Sequence, residues 1–514
     1  MTQLNRSNHP APNHPERVLQ FGTGVLLRGL PDYLIHKANQ QGIFNGSIVV
    51  VKSTGGTTDE FADQDGLYTV VNRGIQKGEL INKHTVVSAI SRVISAHDNW
   101  KAVLDVAKKP SLQVIISNTT EVGIQYVEES IFQNPPQSYP AKLTAFLYER
   151  FKNFGGGRNK GLVVIPTELI TDNGLKLRNI VEKVALHNEL GKLFMKWLKY
   201  HVRFCNSLVD RIVPGKPDAE THQQLQQDLG YQDNLLIMAE PYRLWAIEGD
   251  DRVKNMLTFA KADASVIIDE DINFYRERKL RVLNGGHTIS VPLAYLLGLE
   301  TVNEMMQHPL MGRFVEEVIT QEIVPTLPEW MIPENNPNAV REFAADVLDR
   351  FRNPYIEHLL LSITLHETSK MRARNLPTIQ RFMENSQQVP ARMALGFAAY
   401  LRFMKAVRVQ EGTYLGETAT STGGIITYPI RDDYAEYFYK LWQQVDVHDV
   451  ASVRNFVQTL CADTTLWETD LSGLSGFADA VADHLNNLLT LGPEATLERQ
   501  IATETPTTSG SEIG

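Results

Sequence analysis

Two cysteines occur in 514 residues, Cys205 and Cys461, far apart and in no metal-ligand spacing. A disulfide framework is excluded, and both are expected as buried thiols in a reducing compartment. Long apolar runs are missing as well. The longest clean one, residues 289–299, is too short to cross a bilayer and contains Pro292. There is no excess of positive charge: 50 basic against 60 acidic residues leave a net −10 at pH 7, which argues against nucleic acid as a partner. Residues 1–17 carry Pro10, Pro12 and Pro15 but no apolar core, so a cytoplasmic protein without a secretory leader is expected. The 14 histidines show no H-E-x-x-H or comparable spacing, and no metal is expected in the site. What remains is 43% hydrophobic and 21% charged, the profile of an ordinary soluble globular chain of roughly two to four domains.

The first half alternates. Residues 18–21, 47–52 (SIVVVK), 112–117 (LQVIIS) and 161–165 (GLVVI) read as apolar strands, with helical patterns between them such as 99–108 and 142–154. Buried strands separated by amphipathic helices predict a parallel sheet covered on both faces. From about residue 270 the spacing turns helical, over 311–323, 340–352, 356–374 and 390–409, with a proline-rich loop at 325–337. The predicted architecture is α/β: a Rossmann-like parallel-sheet domain over 1–270, a mainly α-helical domain over 271–500, and a disordered Thr/Ser/Gly-rich tail over 501–514.

Three segments could carry chemistry. Phe21-Gly22-Thr23-Gly24-Val25 follows the first strand directly, where glycines let the backbone approach a pyrophosphate seated on the next helix. Leu27 replaces the third glycine, and Lys52 stands where an acid often holds a ribose hydroxyl, so a plain tight turn is the competing reading. Ser117-Asn118-Thr119-Thr120-Glu121 ends another strand of the sheet, where ligands bind in open α/β folds; a capped helix start would look the same. The third is Lys279-x4-Asn284-x2-His287. On an α-helix at ~100° per residue the three share one face, with His287 between the others. There Lys279 can act as general acid/base, Asn284 can donate to a developing alkoxide and His287 can orient them. The alternative is a solvated lysine, a capping asparagine and a core histidine. Gly285-Gly286 costs a helix about 2 kcal/mol, which suggests close approach to a ligand or a helix start. Asp210-Arg211, set among apolar residues, reads as a structural ion pair or a site anchor, and the basic residues Arg350, Arg352, Lys370, Arg372 and Arg374 as a solvated face or an anion pocket.

Together these segments resemble the mannitol dehydrogenase family of polyol-specific long-chain dehydrogenases. The matches are Phe21-Gly22-x-Gly24 with Arg28, Gln64-Asp65-Gly66-Leu67-Tyr68-Thr69, Thr120-Glu121-x-Gly123, Asn206-Ser207-x-Val209-Asp210-Arg211-Ile212, Lys279-x4-Asn284-x2-His287 and Arg350-Phe351-x-Asn353-Pro354, collinear over about residues 17 to 490. Within the family, residues 117–121, 138–144 and 350–356 are most similar to the branch that acts on sugar acids. The resemblance implies a metal-independent, NAD-dependent enzyme acting on a small uronate or aldonate. It assigns catalysis to Lys279, Asn284 and His287, substrate binding to Asp210, Arg276 and Arg350, and the cofactor to Phe21, Gly22, Thr23, Gly24, Val25, Thr120 and Glu121. Two departures stand out. Where mannitol dehydrogenases carry Cys-Asp-Asn, this chain has Thr167-Glu168-Leu169, so Leu169 cannot supply a second oxyanion donor. Three residues before the lysine their Glu is replaced by Arg276, which suits a carboxylate-bearing substrate. Rival readings are a relative acting on another sugar acid or a neutral polyol, and a lyase in which Lys279 forms a Schiff base. Oligomeric state has no signature in the sequence.

Overall fold

The computed structural model describes residues 1–119, 121–419 and 423–503, with the backbone alone for Glu121 and Thr503. The chain forms two compact units, Met1–Tyr275 and Arg276–Gly514. In the first, strands run in the order β1 (Glu16–Phe21), β2 (Ser47–Lys52), β3 (Tyr68–Gln76), β4 (Glu79–Val87), β5 (Ile90–Ser95) and β6 (Val114–Ser117). They continue with β7 (Val163–Pro166), β8 (Arg203–Phe204), β9 (Ser207–Asp210), β10 (Ile237–Ala239), β11 (Leu244–Glu248) and β12 (Val266–Asp269).

Six of these form one sheet in the order β5-β2-β1-β6-β7-β8, with every pairing parallel. Counted along the chain this is 3-2-1-4-5-6, the doubly wound order, with its switch point between β1 and β6. Val18, Val49, Val50, Ile115, Val163 and Val164 are fully buried, as strands covered on both faces require. β5 and β8 escape the sequence reading because one is an edge strand with exposed polar residues and the other is two residues long. A hairpin, β3–β4, closes through Lys77 (φ 54°) and Gly78 (φ 76°), the left-handed pair that a two-residue hairpin loop needs.

The second unit is mostly helical but not wholly so. β13 (Ala406–Gln410), β14 (Thr413–Ala419) and β15 (Ile425–Ile430) form an antiparallel sheet. The helical reading of 390–409 therefore fails after Phe403, where the helix Ala391–Phe403 ends. The apolar residues beyond it fit period two as well, and Glu411-Gly412, both at positive φ, are the hairpin loop. The helix expected over 356–374 is likewise broken into Leu360–Ile363, Glu367–Lys370 and a π-turn Met371–Asn375, with His366 at φ 54° between the first two. Two further π-helical turns occur in this unit, Lys279–Gly285 and Val318–Ile323. The helix Pro493–Thr503 runs into the predicted tail, and residues 504–514 lie outside the described residues.

No helix among the described residues is long and apolar enough to cross a membrane, and no three His, Cys, Asp or Glu groups among them gather as a metal site. Cys205 and Cys461 are both buried free thiols, pushed up to about 12 by burial.

Candidate active site

In the first unit, the carboxyl ends of β1 and β6 border a cavity of about 470 Å3. Gly22 turns the chain there at φ 123°; a Cβ on it would lie 3.0 Å from the Leu27 side chain and 3.1 Å from the Asn118 carbonyl, so only glycine fits. A Cβ on Gly24 would meet nothing within 4 Å, because that position faces the cavity. Thr23, Ser53, Thr54, Asn118 and Thr119 complete this side of it. A second cavity of similar volume beside Tyr33 and Arg243 contains none of the motif residues.

Phe21 is fully buried beneath the turn, its ring 5.1 Å from that of Tyr139; it supports the site from the core and does not line it. Val25 packs against Gly215. Thr120 and the side chain of Glu121 lie outside the described residues. What holds the β6 loop in place is Glu168, which the sequence reading passed over. One carboxylate oxygen accepts from the Thr119 amide (2.9 Å) and hydroxyl (3.0 Å), and the other from the Ser117 hydroxyl (3.2 Å). Burial pushes its carboxyl up, while the bonds from Thr119 and Ser117 pull it down. Asn118 is fixed to Thr167 by two further bonds of 3.1 and 3.0 Å. Leu169, by contrast, is 64% exposed. The signal for Glu168 was its place at a strand's carboxyl end.

Asp210 is buried at the end of β9. The expected pair with Arg211 does not form. The Arg211 guanidinium turns instead to the carbonyls of Gly29 and Glu240 and to the amide oxygen of Asn72. β9 ends at Asp210, and Arg211, the first residue beyond it, is held by these oxygens. The Gln64–Thr69 motif is structural: Gln64 donates to Asp233 (2.8 Å), Asp233 accepts the Thr69 amide (2.6 Å), and Tyr68 donates to the Arg28 carbonyl (2.9 Å).

In the second unit, Lys279 to Gly285 is a π-turn, not an α-helix. The expected α-helical angles do not apply. With i→i+5 bonding, Lys279 and Asn284 stand about one turn apart, closer to one line along the axis than the edges of the shared face on which the α-helical count placed them. Gly286 then opens the helix Gly286–Leu296, and His287 follows in its first turn. The glycine pair serves close packing within the protein: Asn375 donates to the Gly285 carbonyl at 3.0 Å, and a Cβ on Gly286 would lie 3.1 Å from Ile319.

His287 stacks on Phe351 at 4.0 Å and 13°, and meets His358 edge-on at 5.4 Å. The Lys279–His287 and Arg350–Pro354 motifs thus share one place. Burial, then His358, Arg350, Arg374 and Lys370, hold His287 well below the ordinary histidine range. It is a neutral ring, and its buried Nε2 has no hydrogen-bond partner. Arg350 is buried in this cluster, and is no solvated surface residue. Arg276 is partly buried in the last turn of the helix Asn273–Arg278, and Glu277 beside it pairs with Arg281 (2.9 Å) and Arg381 (3.2 Å).

A doubly wound sheet with a Gly-x-Gly turn at its switch point, followed by a helical unit with a lysine–asparagine π-turn, is the build of a two-domain nucleotide-dependent dehydrogenase. Residues 16–261 match the Mannitol dehydrogenase Rossmann domain and residues 271–489 the Mannitol dehydrogenase C-terminal domain. The chain belongs to the mannitol dehydrogenase family. It is 39% identical over 490 residues to an altronate oxidoreductase of Bacillus subtilis (strain 168), covering 95% of each chain. To the altronate oxidoreductase of Pectobacterium carotovorum subsp. carotovorum (strain PC1) it is 39% identical over 503 residues, 97% of this chain and 99% of the other. The solved Pseudomonas fluorescens mannitol 2-dehydrogenase, a ternary complex with NAD and D-mannitol, is similar in fold, with 22% identity and a TM-score of 0.63 over 98% of this chain and 100% of that one.

Proposed function

We propose that this chain is an NAD-dependent altronate oxidoreductase, a cytoplasmic enzyme that reduces D-tagaturonate to D-altronate without a metal. The observation that carries the reading is the similarity to altronate oxidoreductases along nearly the whole of both chains. The first unit suits a dinucleotide: Gly22 and Gly24 keep the turn open to the cavity, and hydroxyls from Thr23, Ser53, Thr54 and Thr119 surround it. Cofactor contacts are assigned to Gly22 through Val25 and to Thr120 and Glu121, and Phe21 supports the turn from the core without touching the cofactor. When bound, NADH supplies the hydride that reduces the ketone.

Lys279, as an ammonium, donates the proton that the nascent alkoxide needs, and the Asn284 amide hydrogen-bonds the same oxygen. His287, held neutral, orients them, and Asp210, Arg276 and Arg350 bind substrate. In oxidation Lys279 must accept the proton, so higher pH favours that direction. The test is NADH consumption with tagaturonate, fructuronate and fructose in parallel. Turnover of tagaturonate far above the other two is expected. Preference for fructuronate or fructose would move the substrate and keep the chemistry, whereas loss of all turnover together with borohydride trapping of substrate on Lys279 would favour the Schiff-base lyase.

Glu168 yields a separate prediction. Glu168→Ala frees the Thr119 amide and two hydroxyls from their carboxyl acceptor, and should weaken NADH binding about tenfold, equivalent to ~1.4 kcal/mol. Calorimetric titration with NADH measures it, and unchanged affinity in a folded variant would refute the role.

A further inference from the structure

We infer that Arg374 receives the carboxylate of the sugar acid, in a pocket whose charge is set by the buried acid Glu367 behind it; this rests on the sugar-acid reading above. Arg374 lies in the π-turn Met371–Asn375. That turn is tied to the Lys279–Gly285 turn from both sides. Arg281 donates to the carbonyls of Ala373 and Arg374, both at 2.8 Å, and Asn375 donates to that of Gly285. The Arg374 guanidinium itself donates to the Thr288 hydroxyl at 3.1 Å, one residue beyond His287. A guanidinium carries five N–H donors, so most of its capacity remains for a planar anion.

Arg374 and its neighbour Lys370 form no ion pair with any described residue. Lys370 donates to the Ile363 carbonyl at 2.6 Å. The acid that faces both is Glu367, fully buried, with neither carboxyl oxygen accepting a hydrogen bond. Burial pushes its carboxyl up to about 8 against the pull of Lys370 and Arg374, so near pH 7 it is mostly uncharged. Asp432, also near, is engaged by the amides of Thr368 (2.7 Å) and Tyr434 (2.9 Å). Tyr400, the remaining titratable group facing Glu367, stays a neutral phenol because burial drives it well above its usual range. Half-buried positive charge without an ionised partner is costly, and an incoming carboxylate removes the cost. A neutral polyol offers no such gain.

The experiment compares Arg374→Ala, Arg374→Lys and Arg276→Ala with tagaturonate and with fructose, each variant first checked for an unaltered melting temperature. Arg374→Ala should raise KM for tagaturonate roughly 10- to 100-fold, the scale of a lost charge-assisted pair, and that for fructose less than about threefold. Arg374→Lys keeps the charge without the fork and should recover part of the loss. Above pH ~8 Glu367 ionises and competes for Arg374, so KM for tagaturonate should climb in the unmodified enzyme and not in Glu367→Gln. Equal losses on both substrates, or a selective loss in Arg276→Ala with none in Arg374→Ala, overturn the assignment. Calorimetric binding of altronate to the enzyme with NAD separates the two readings. If tagaturonate is not turned over, the proposed activity fails, yet altronate binding weakened by Arg374→Ala still upholds this receptor. Altronate binding indifferent to that change rejects it.

Discussion

Lys279→Ala should lower kcat/KM for tagaturonate by about 10²- to 10⁴-fold, the range of a positioned general acid. The motive is its place on the π-turn beside Asn284, on a segment stapled by Arg281 and Asn375. NADH affinity should stay as it is, because the cavity at the ends of β1 and β6 is lined without Lys279. Small primary amines added to the assay should restore part of the rate, since they replace the missing acid without its tether. Asn284→Ala should cost about 10²- to 10³-fold, the range for a single oxyanion donor. Steady-state rates in both directions decide the matter: near-normal kcat in Lys279→Ala would remove the lysine from the chemistry.

Arg150→Ala should destabilise the protein by about 4 kcal/mol or more. Arg150 is 1% exposed, on the helix Tyr139–Asn153, and its guanidinium donates only to main-chain oxygens. It reaches Lys160 at 2.7 Å, Ala107 at 2.9 Å, Lys109 at 3.0 Å and Leu112 at 3.1 Å. One side chain thus closes the end of the helix Trp100–Val106, the approach to β6 and the glycine break at 155–157. Burial lowers its pKa to about 10, so it remains charged at pH 7 and the carbonyls remain satisfied. Truncation leaves four carbonyls without this donor, those of Ala107 and Leu112 buried and those of Lys109 and Lys160 partly so, and lysine cannot span them all. A thermal melt should drop by roughly 10 °C or more for alanine, with an intermediate drop for lysine. A shift of only a degree or two would mean that water takes over these carbonyls freely.

The parallel sheet was legible because β1, β2, β6 and β7 are continuous apolar runs, and burial on both faces permits nothing else. Of the candidate site, the turn was legible because a backbone requirement leaves a mark in residue type: Gly22 stands at positive φ and Gly24 faces open space. β13 was missed because a short apolar run suits either period, and the two-residue loop Glu411-Gly412 that decides between them lies outside the run. Of the two readings of Asp210-Arg211, the ion pair does not form, because the Arg211 guanidinium is taken up by Gly29, Asn72 and Glu240, residues distant in sequence. Glu367 carried no usable signal, and Glu168 only its place beyond a strand's carboxyl end: an acid shows in a sequence only as an acid, whether it pins a loop or sits neutral in a core.

Composition and pattern by themselves determined a nucleotide-type sheet followed by a helical unit, and marked the run of residues to which the chemistry is assigned in the proposed function. Those depend on local burial and backbone sterics, which act on neighbours in the chain. Tertiary structure decided the rest: that Lys279–Gly285 winds as a π-turn, that Phe351 lies under His287, and that Arg374 reaches Thr288. Each of these joins segments far apart in sequence or sets a helical pitch through packing, and no periodicity records which distant residue will supply the other half of a contact.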